Sequence, residues 1–208
     1  MDPKHAYEVG LAAFRADDFR TAVYHLLPLA IQGDMNAQHL MAEAYRWGNG
    51  VEQNPIESLR LYKEAADQGH AQAAFDLYFL LLPEATAAPA QMQALAKDRS
   101  ASQKYLDLAL DRFRKLADRG EVEAMMNLGF LFHLGLGVGM DGSEAIRWYS
   151  KAFEAGNLGA ANGLCLVYYE GDPRVRDKAK ALYWYTKAKD FNCRCVEISE
   201  FETDAATD

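Results

Sequence analysis

The residues of this chain best suited to chemistry are three cysteines, Cys165, Cys193 and Cys195, and five histidines, His5, His25, His39, His70 and His133. Cys193-Arg-Cys195 has a single intervening residue and no histidine nearby. Zinc pairs commonly space their ligands by two to four residues, so this pair does not read as a metal site. The histidines are scattered, and a lone histidine is more often a packing or surface residue than a ligand. Gly135-Leu-Gly137-Val-Gly139 is glycine-rich, but it follows a helical pattern, and a dinucleotide loop needs a preceding strand. His-Glu-x-x-His, Gly-x-x-x-x-Gly-Lys and Gly-x-Ser-x-Gly are all missing from the sequence. The expectation is a chain with no catalytic residues, no metal and no cofactor.

The elements that would carry a site are helices. The chain has 208 residues, half of them apolar. Alanine is frequent and long β-branched runs are missing, which favours helix over strand. The formal charge is −8. With no basic stripe visible, phosphate neutralisation has nothing to work with, so nucleic acid is not an expected partner. No apolar run approaches the length of a membrane span, and Met1-Asp2-Pro3-Lys4-His5 does not open a secretory signal. An odd cysteine count builds no disulfide framework and suits a reducing compartment. The expected setting is cytoplasmic, with a trimmed mature periplasmic form left open. The thiols are expected to be free, a Cys165–tail disulfide being the alternative.

An internal repeat organises the chain. Gly33-Asp-Met-Asn-Ala37, Gly69-His-Ala-Gln-Ala73, Gly120-Glu-Val-Glu-Ala124 and Gly156-Asn-Leu-Gly-Ala160 are four copies of one pattern, their glycines 36, 51 and 36 residues apart. Seven residues before each glycine stands a large apolar residue, Leu26, Tyr62, Phe113 or Tyr149, and Tyr185 stands seven before Asn192. Four before those stand Ala22, Ser58, Ala109, Ala145 and Ala181. A second block, Ala124-x-x-x-Leu128-Gly129-x-x-Phe132-x-x-Gly135-x-Gly137-Val138, recurs at Ala37–Val51 and, shortened, at Ala160–Gly171.

Apolar residues at steps of three and four mark one face of a helix, and two such stretches occur per period. The first closes in Gly-x-Gly-Val, the second at the repeat glycine, both turns that favour positive φ. Polar residues such as Asp34 and Asn157 suit the next helix start. Small residues at Ala42, Gly129 and Cys165 allow close helix approach, and Trp148-Tyr149 and Trp184-Tyr185 read as packing between repeats.

These motifs resemble the Sel-one-like repeat (SLR) family, a subclass of the tetratricopeptide repeats. The resemblance covers roughly residues 34–192, and the start, from Gly10 to Ala22, looks more like an ordinary tetratricopeptide unit. It implies an all-α, right-handed αα-superhelix of about five helix–turn–helix repeats in a single domain over 1–192. The repeats fall at 3–33, 34–69, 70–120, 121–156 and 157–192. The third carries an insertion at 83–102, expected as a loop and then a helical piece with Pro89 in its first turn and Met92 and Leu95 on one face. The fifth is degraded, with Gly171-Asp-Pro-Arg in its turn. Residues 193–208 read as an acidic, disordered tail.

The resemblance also implies function. Members act as non-catalytic adaptors that hold another protein on the concave face lined by the first helix of each repeat. Residues two before, two after and five after the central Leu or Met of each first helix should line that face. This selects His39, Glu43 and Arg46, then Phe75, Phe79 and Leu82. Met126, Phe130 and His133 follow, then Asn162, Leu166 and Tyr169, while the first repeat offers Tyr7, Leu11 and Phe14. An aromatic face of this kind usually marks a binding site, with buried core as the alternative. The partner would be a protein, and the acidic charge suits a basic one. An immunity protein or chaperone that neutralises a secreted bacterial effector is the alternative role.

Overall fold

The computed structural model describes residues 2–82 and 99–191. The insertion residues Pro89, Met92 and Leu95, the Cys193–Cys195 pair and the tail at 193–208 lie outside them. Every regular element among the described residues is a helix. They are α1 (Pro3–Arg15), α2 (Phe19–Ile31), α3 (Met35–Trp47), α4 (Pro55–Asp67), α5 (Ala71–Leu80), α6 (Arg99–Ala117), α7 (Val122–Leu134), α8 (Gly142–Glu154), α9 (Ala160–Glu170) and α10 (Lys178–Asp190). Contacts divide the chain into two compact units, residues 1–112 and 113–208.

Local chemistry sets the helix ends. Asp18, Asp34, Asn54, Asp141 and Asp177 each accept backbone N–H bonds in the first turn of the following helix, which satisfies donors that have no helical partner. Pro55 occupies the first position of α4, where its missing N–H costs nothing. The repeat glycines Gly33, Gly69, Gly120 and Gly156 have φ of 92°, 98°, 91° and 98°. After each, the next N–H reaches the carbonyl five residues back, as in Asp34 N–H to Leu29 O at 3.0 Å and Asn157 N–H to Ala152 O at 2.9 Å. That is the Schellman closure, which uses up the last helical carbonyls. The starts of α4, α8 and α10 tie back to an aromatic residue of the preceding helix: Asn54 N–H to Tyr45 O, Asp141 N–H to Phe132 O and Asp177 N–H to Tyr168 O.

Gly50 is held by two constraints. Its φ is 73°, and a Cβ there would lie 2.5 Å from the backbone oxygen of Phe19. Gly50→Ala is therefore expected to cost the unit of residues 1–112 at least about 2 kcal/mol, read as a lower urea midpoint.

Within that unit each helix packs on its sequence neighbour, α1 on α2 and so on to α5, as expected when no hairpin can bury its own apolar face. Leu26 and Tyr62 fill the centre, and Ser58 donates to the Ala42 carbonyl at 2.8 Å where α3 and α4 touch. Gln38 is buried and donates to Ala30 O and Glu64 Oε2, while Gln68 donates to its Oε1. That network satisfies a polar side chain that burial would otherwise penalise.

In the unit of residues 113–208, α7 packs on α8, α8 on α9, α9 on α10, and α7 also meets α9. Tyr149 is the central side chain. Ideal Cβ atoms at Gly129 of α7 and Gly163 of α9 would each sit 2.7 Å from its ring, so both glycines are small because the ring occupies their space. Cys165 is buried beside Ala181 and Tyr185. In the degraded fifth turn Asp172 is buried and accepts N–H bonds from Gly142 and Arg174. The Arg174 guanidinium beside it holds its carboxyl well below the usual carboxylate range. Asn157 does not begin α9 as expected. Tight turns from Asn157 to Asn162 delay the helix to Ala160, and the Asn157 amide faces Glu123 at 3.5 Å.

Candidate partner-binding faces

The first face belongs to α3 and α5. His39 Nε2 lies 2.9 Å from Asp76 Oδ2, and Gln72 Nε2 donates to Asp76 Oδ1 at 3.1 Å. The His39 ring stacks on His70 with centroids 4.5 Å apart and meets Tyr62 edge-on at 5.8 Å. His70 caps α5, its Nδ1 accepting the Ala73 N–H at 3.0 Å. An accepting Nδ1 carries no proton, and burial pushes the His70 pKa down to about 4, with His39 adding to the shift.

Glu43 is half-buried on the same face. Burial pushes its carboxyl up, Asp76 pushes the same way, and His39 and Arg46 pull it back. It makes no hydrogen bond or ion pair among the described residues. Burial, then the charges of Asp76 and Glu43, push the Tyr62 hydroxyl above its ordinary value. Arg46 lies over the Trp47 ring at 4.8 Å. The result is two neighbouring carboxylates, one held by an imidazole and one without an ion pair among the described residues.

The apolar part of the expected face is different. Phe75 is only 6% exposed and packs edge-on to Phe79 at 5.0 Å, so Phe75 belongs to the core. Phe79 is half-buried and also meets Tyr78 at 5.0 Å. Tyr7, Leu11, Phe14 and Leu82 are half-buried too. Asp76, Tyr62, His70 and Gln72 were not on the expected face. Asp76 is the only charged residue of α5, and that was the signal available for it.

In the second unit Met126 and Phe130 on α7 and Asn162, Leu166 and Tyr169 on α9 are half-buried. His133 is only 8% exposed, and its Nδ1 has no hydrogen-bond partner. Burial lowers its pKa against an opposing pull from Glu170. His133, like Phe75, is thus buried where an accessible side chain was expected.

Among the described residues no group of three or more His, Cys, Asp or Glu could hold a metal ion, and no helix is long and apolar enough to cross a membrane.

A family model described as the Sel1 repeat matches residues 36–70, 122–157 and 159–190. This chain is a Sel1-repeat protein. Sel1 repeats generally mediate protein–protein interaction, and the family is typically a non-catalytic scaffold. The chain is similar to an uncharacterized protein of Neisseria meningitidis serogroup B, 30% identical over 207 residues, covering 86% of this chain and 44% of that protein. An exopolysaccharide production negative regulator of Rhizobium meliloti is 24% identical over 180 residues, covering 85% of this chain and 66% of the regulator. The chain thus spans less than two thirds of the length of both relatives. The crystal structure of a Sel1 repeat protein from Oxalobacter formigenes superposes with a TM-score of 0.59 at 26% identity, covering 89% of this chain and 68% of that one. The αα-solenoid fold class of Sel1 repeats is therefore that of this chain.

Proposed function

We propose that this Sel1-repeat chain is a non-catalytic interaction module that holds a segment of a partner protein on the α3–α5 face. Glu43 carries the reading. A half-buried carboxylate with its pKa raised by burial, and with no ion pair among the described residues, has lost hydration that His39 and Arg46 only partly offset. A lysine or arginine side chain of the partner would supply that cation, between Glu43 and Asp76 and beside the half-buried ring of Phe79. The pair would be partly desolvated, which is where an interfacial charge contributes most. Half-buried Phe79 would take an apolar side chain of the same segment. His39 and Gln72 hold Asp76 in place, so the face is formed before the partner arrives, which lowers the entropy lost on binding.

The test is quantitative affinity capture with the native chain, Glu43→Lys and Phe79→Ala, each checked for native helicity by circular dichroism. Glu43→Lys is expected to weaken capture of the partner by at least about 30-fold, the equivalent of roughly 2 kcal/mol. Unchanged capture by folded Glu43→Lys would remove the α3–α5 face from the reading. A tight one-to-one complex with a basic secreted effector would make the module an immunity protein.

A further inference from the structure

An aspartate or asparagine stands before a glycine at three places, Asn49-Gly50, Asp141-Gly142 and Asn162-Gly163. Such steps share a reaction. The glycine amide nitrogen attacks the side-chain carbonyl carbon of the residue before it, and a five-membered succinimide ring closes. Glycine permits this because no Cβ screens its nitrogen. Closure has two further requirements. The glycine N–H must be free of other bonds, and ψ of the preceding residue must leave the helical value.

Two of the three steps are locked. Asp141 is the N-cap of α8, and its Oδ1 accepts the Ser143 and Glu144 N–H groups at 3.0 and 3.1 Å. Gly142 is buried, and its N–H donates to Asp172 Oδ2 at 3.3 Å. Asn162 and Gly163 both lie within α9. A Cβ at Gly163 would sit 2.7 Å from the Tyr149 ring, so turning ψ there means unravelling a helix packed against that ring.

The first step is open. Asn49 and Gly50 stand between α3 and α4, outside both helices. Asn49 is anchored through its own N–H, which donates to Ala44 O at 2.9 Å, a group the reaction leaves alone. Among the described residues neither the Asn49 side chain nor the Gly50 N–H makes a hydrogen bond, and Gly50 is exposed. We propose that Asn49 is a site of spontaneous deamidation, selected by the fold over the other two steps.

The Gly50 nitrogen gives its proton to solvent base and bonds to Asn49 Cγ. The bond from Cγ to the side-chain amide nitrogen breaks, and that nitrogen leaves as ammonia. Water then opens the ring. Opening at the side-chain carbonyl leaves aspartate, and opening at the main-chain carbonyl leaves isoaspartate, with the backbone running through the former side chain. The net change is carboxamide and water to carboxylate and ammonium, so no oxidant or reductant takes part. Both products place a carboxylate just past the end of α3, where the last helical carbonyls already make the potential negative. Isoaspartate also adds a carbon to the main chain beside Gly50, which lies so close to the Phe19 backbone oxygen that a Cβ would not fit. Conversion therefore loosens the turn at the end of the helix that carries Glu43 and Arg46.

Incubation of the full chain in heavy-oxygen water at mildly alkaline pH, followed by peptide mass spectrometry, tests this. The heavy oxygen marks each carboxylate made during the incubation, and enzymatic methyl transfer from S-adenosylmethionine scores the isoaspartate. In the folded chain Asn49 should acquire label at least about ten times faster than Asn162, because reaction within α9 must wait for local opening. In urea the two Asn-Gly steps should react at similar rates, since nothing then distinguishes them but sequence. Asn49→Gln should remove the fast label and keep native helicity. Equal rates at Asn49 and Asn162 in the folded chain would overturn the proposal. So would an Asn49 that reacts in urea and stays unlabelled in the folded chain, or a fast label that survives Asn49→Gln.

Discussion

Tyr149→Ala is expected to cost the unit of residues 113–208 about 3–5 kcal/mol, the range for emptying a buried aromatic site. The ring is buried and lies against two backbones, at Gly129 of α7 and Gly163 of α9. Those helices are joined to one another mainly through α8. Collapse into the cavity would need two helices to move at once, which places the cost in the upper part of the range. Urea unfolding followed by fluorescence reports it, because Trp148 and Trp184 lie in this unit and Trp47 in the other. The same geometry predicts a coupling. Gly129→Ala in the native chain drives a methyl group to 2.7 Å from the Tyr149 ring and should cost about 1–3 kcal/mol by overpacking. In the Tyr149→Ala background the ring is gone, and Gly129→Ala should cost close to nothing or recover stability. A double-mutant cycle with no coupling would mean that the ring and the glycine do not share this space.

The Gly129–Tyr149 pairing shows what kind of information was legible from residues alone. The repeat positions of Leu26, Tyr62, Phe113, Tyr149 and Tyr185, and of the small residues four before them, are all buried. The turn glycines Gly33, Gly48, Gly50, Gly69, Gly120, Gly135, Gly137 and Gly156 have positive φ, while Gly171 of the degraded fifth turn has φ −67°. Both are backbone-level facts, repeated along the chain, and repetition makes them visible.

The partner face was less legible because it depends on which flank of a helix the neighbouring helix covers. One residue in a helix is a rotation of about 100°, so Phe75 and Asp76 sit on different flanks. Spacing from the central Leu77 selected Phe75, which is core, and passed over Asp76, which meets His39. On α3, where Leu40, Met41 and Ala44 are buried, the same rule selected His39, Glu43 and Arg46, all half-buried. The difference lies in the neighbours. The α3 set is polar, and burying it unpaired would be costly. Phe75 is apolar, and its burial is favourable wherever packing permits.

Acidification should weaken the unit of residues 1–112 through His70, and the sign follows from its cap. The folded chain holds His70 neutral, with a pKa of about 4 against 6.5 for a free imidazole. Above pH 6.5 both folded and unfolded chains carry the neutral ring, and no penalty arises. Between 6.5 and 4 the unfolded chain binds a proton that the folded chain refuses. Stability therefore falls by up to about 1.4 kcal/mol per pH unit, on the order of 3 kcal/mol across the window. Below 4 the folded chain takes the proton too, at the expense of the Nδ1 acceptor of the Ala73 N–H, and the loss levels off. Asp172 has a pKa displaced in the same direction but is an acid, so its contribution is present above the ordinary carboxylate range and is lost below it, in the other unit. His133, with its pKa lowered by burial, acts in the same sense as His70 but also in the other unit. The two units thus lose stability to acid through different groups. His70→Asn separates them, since asparagine caps a helix as well as any residue and does not titrate. Guanidinium titrations from pH 7 to 4 should show the native chain and His70→Asn close together at pH 7 and diverging by on the order of 3 kcal/mol by pH 4. Parallel curves would show that folded and unfolded chains bind the His70 proton alike, so that the α5 cap does not hold the ring neutral.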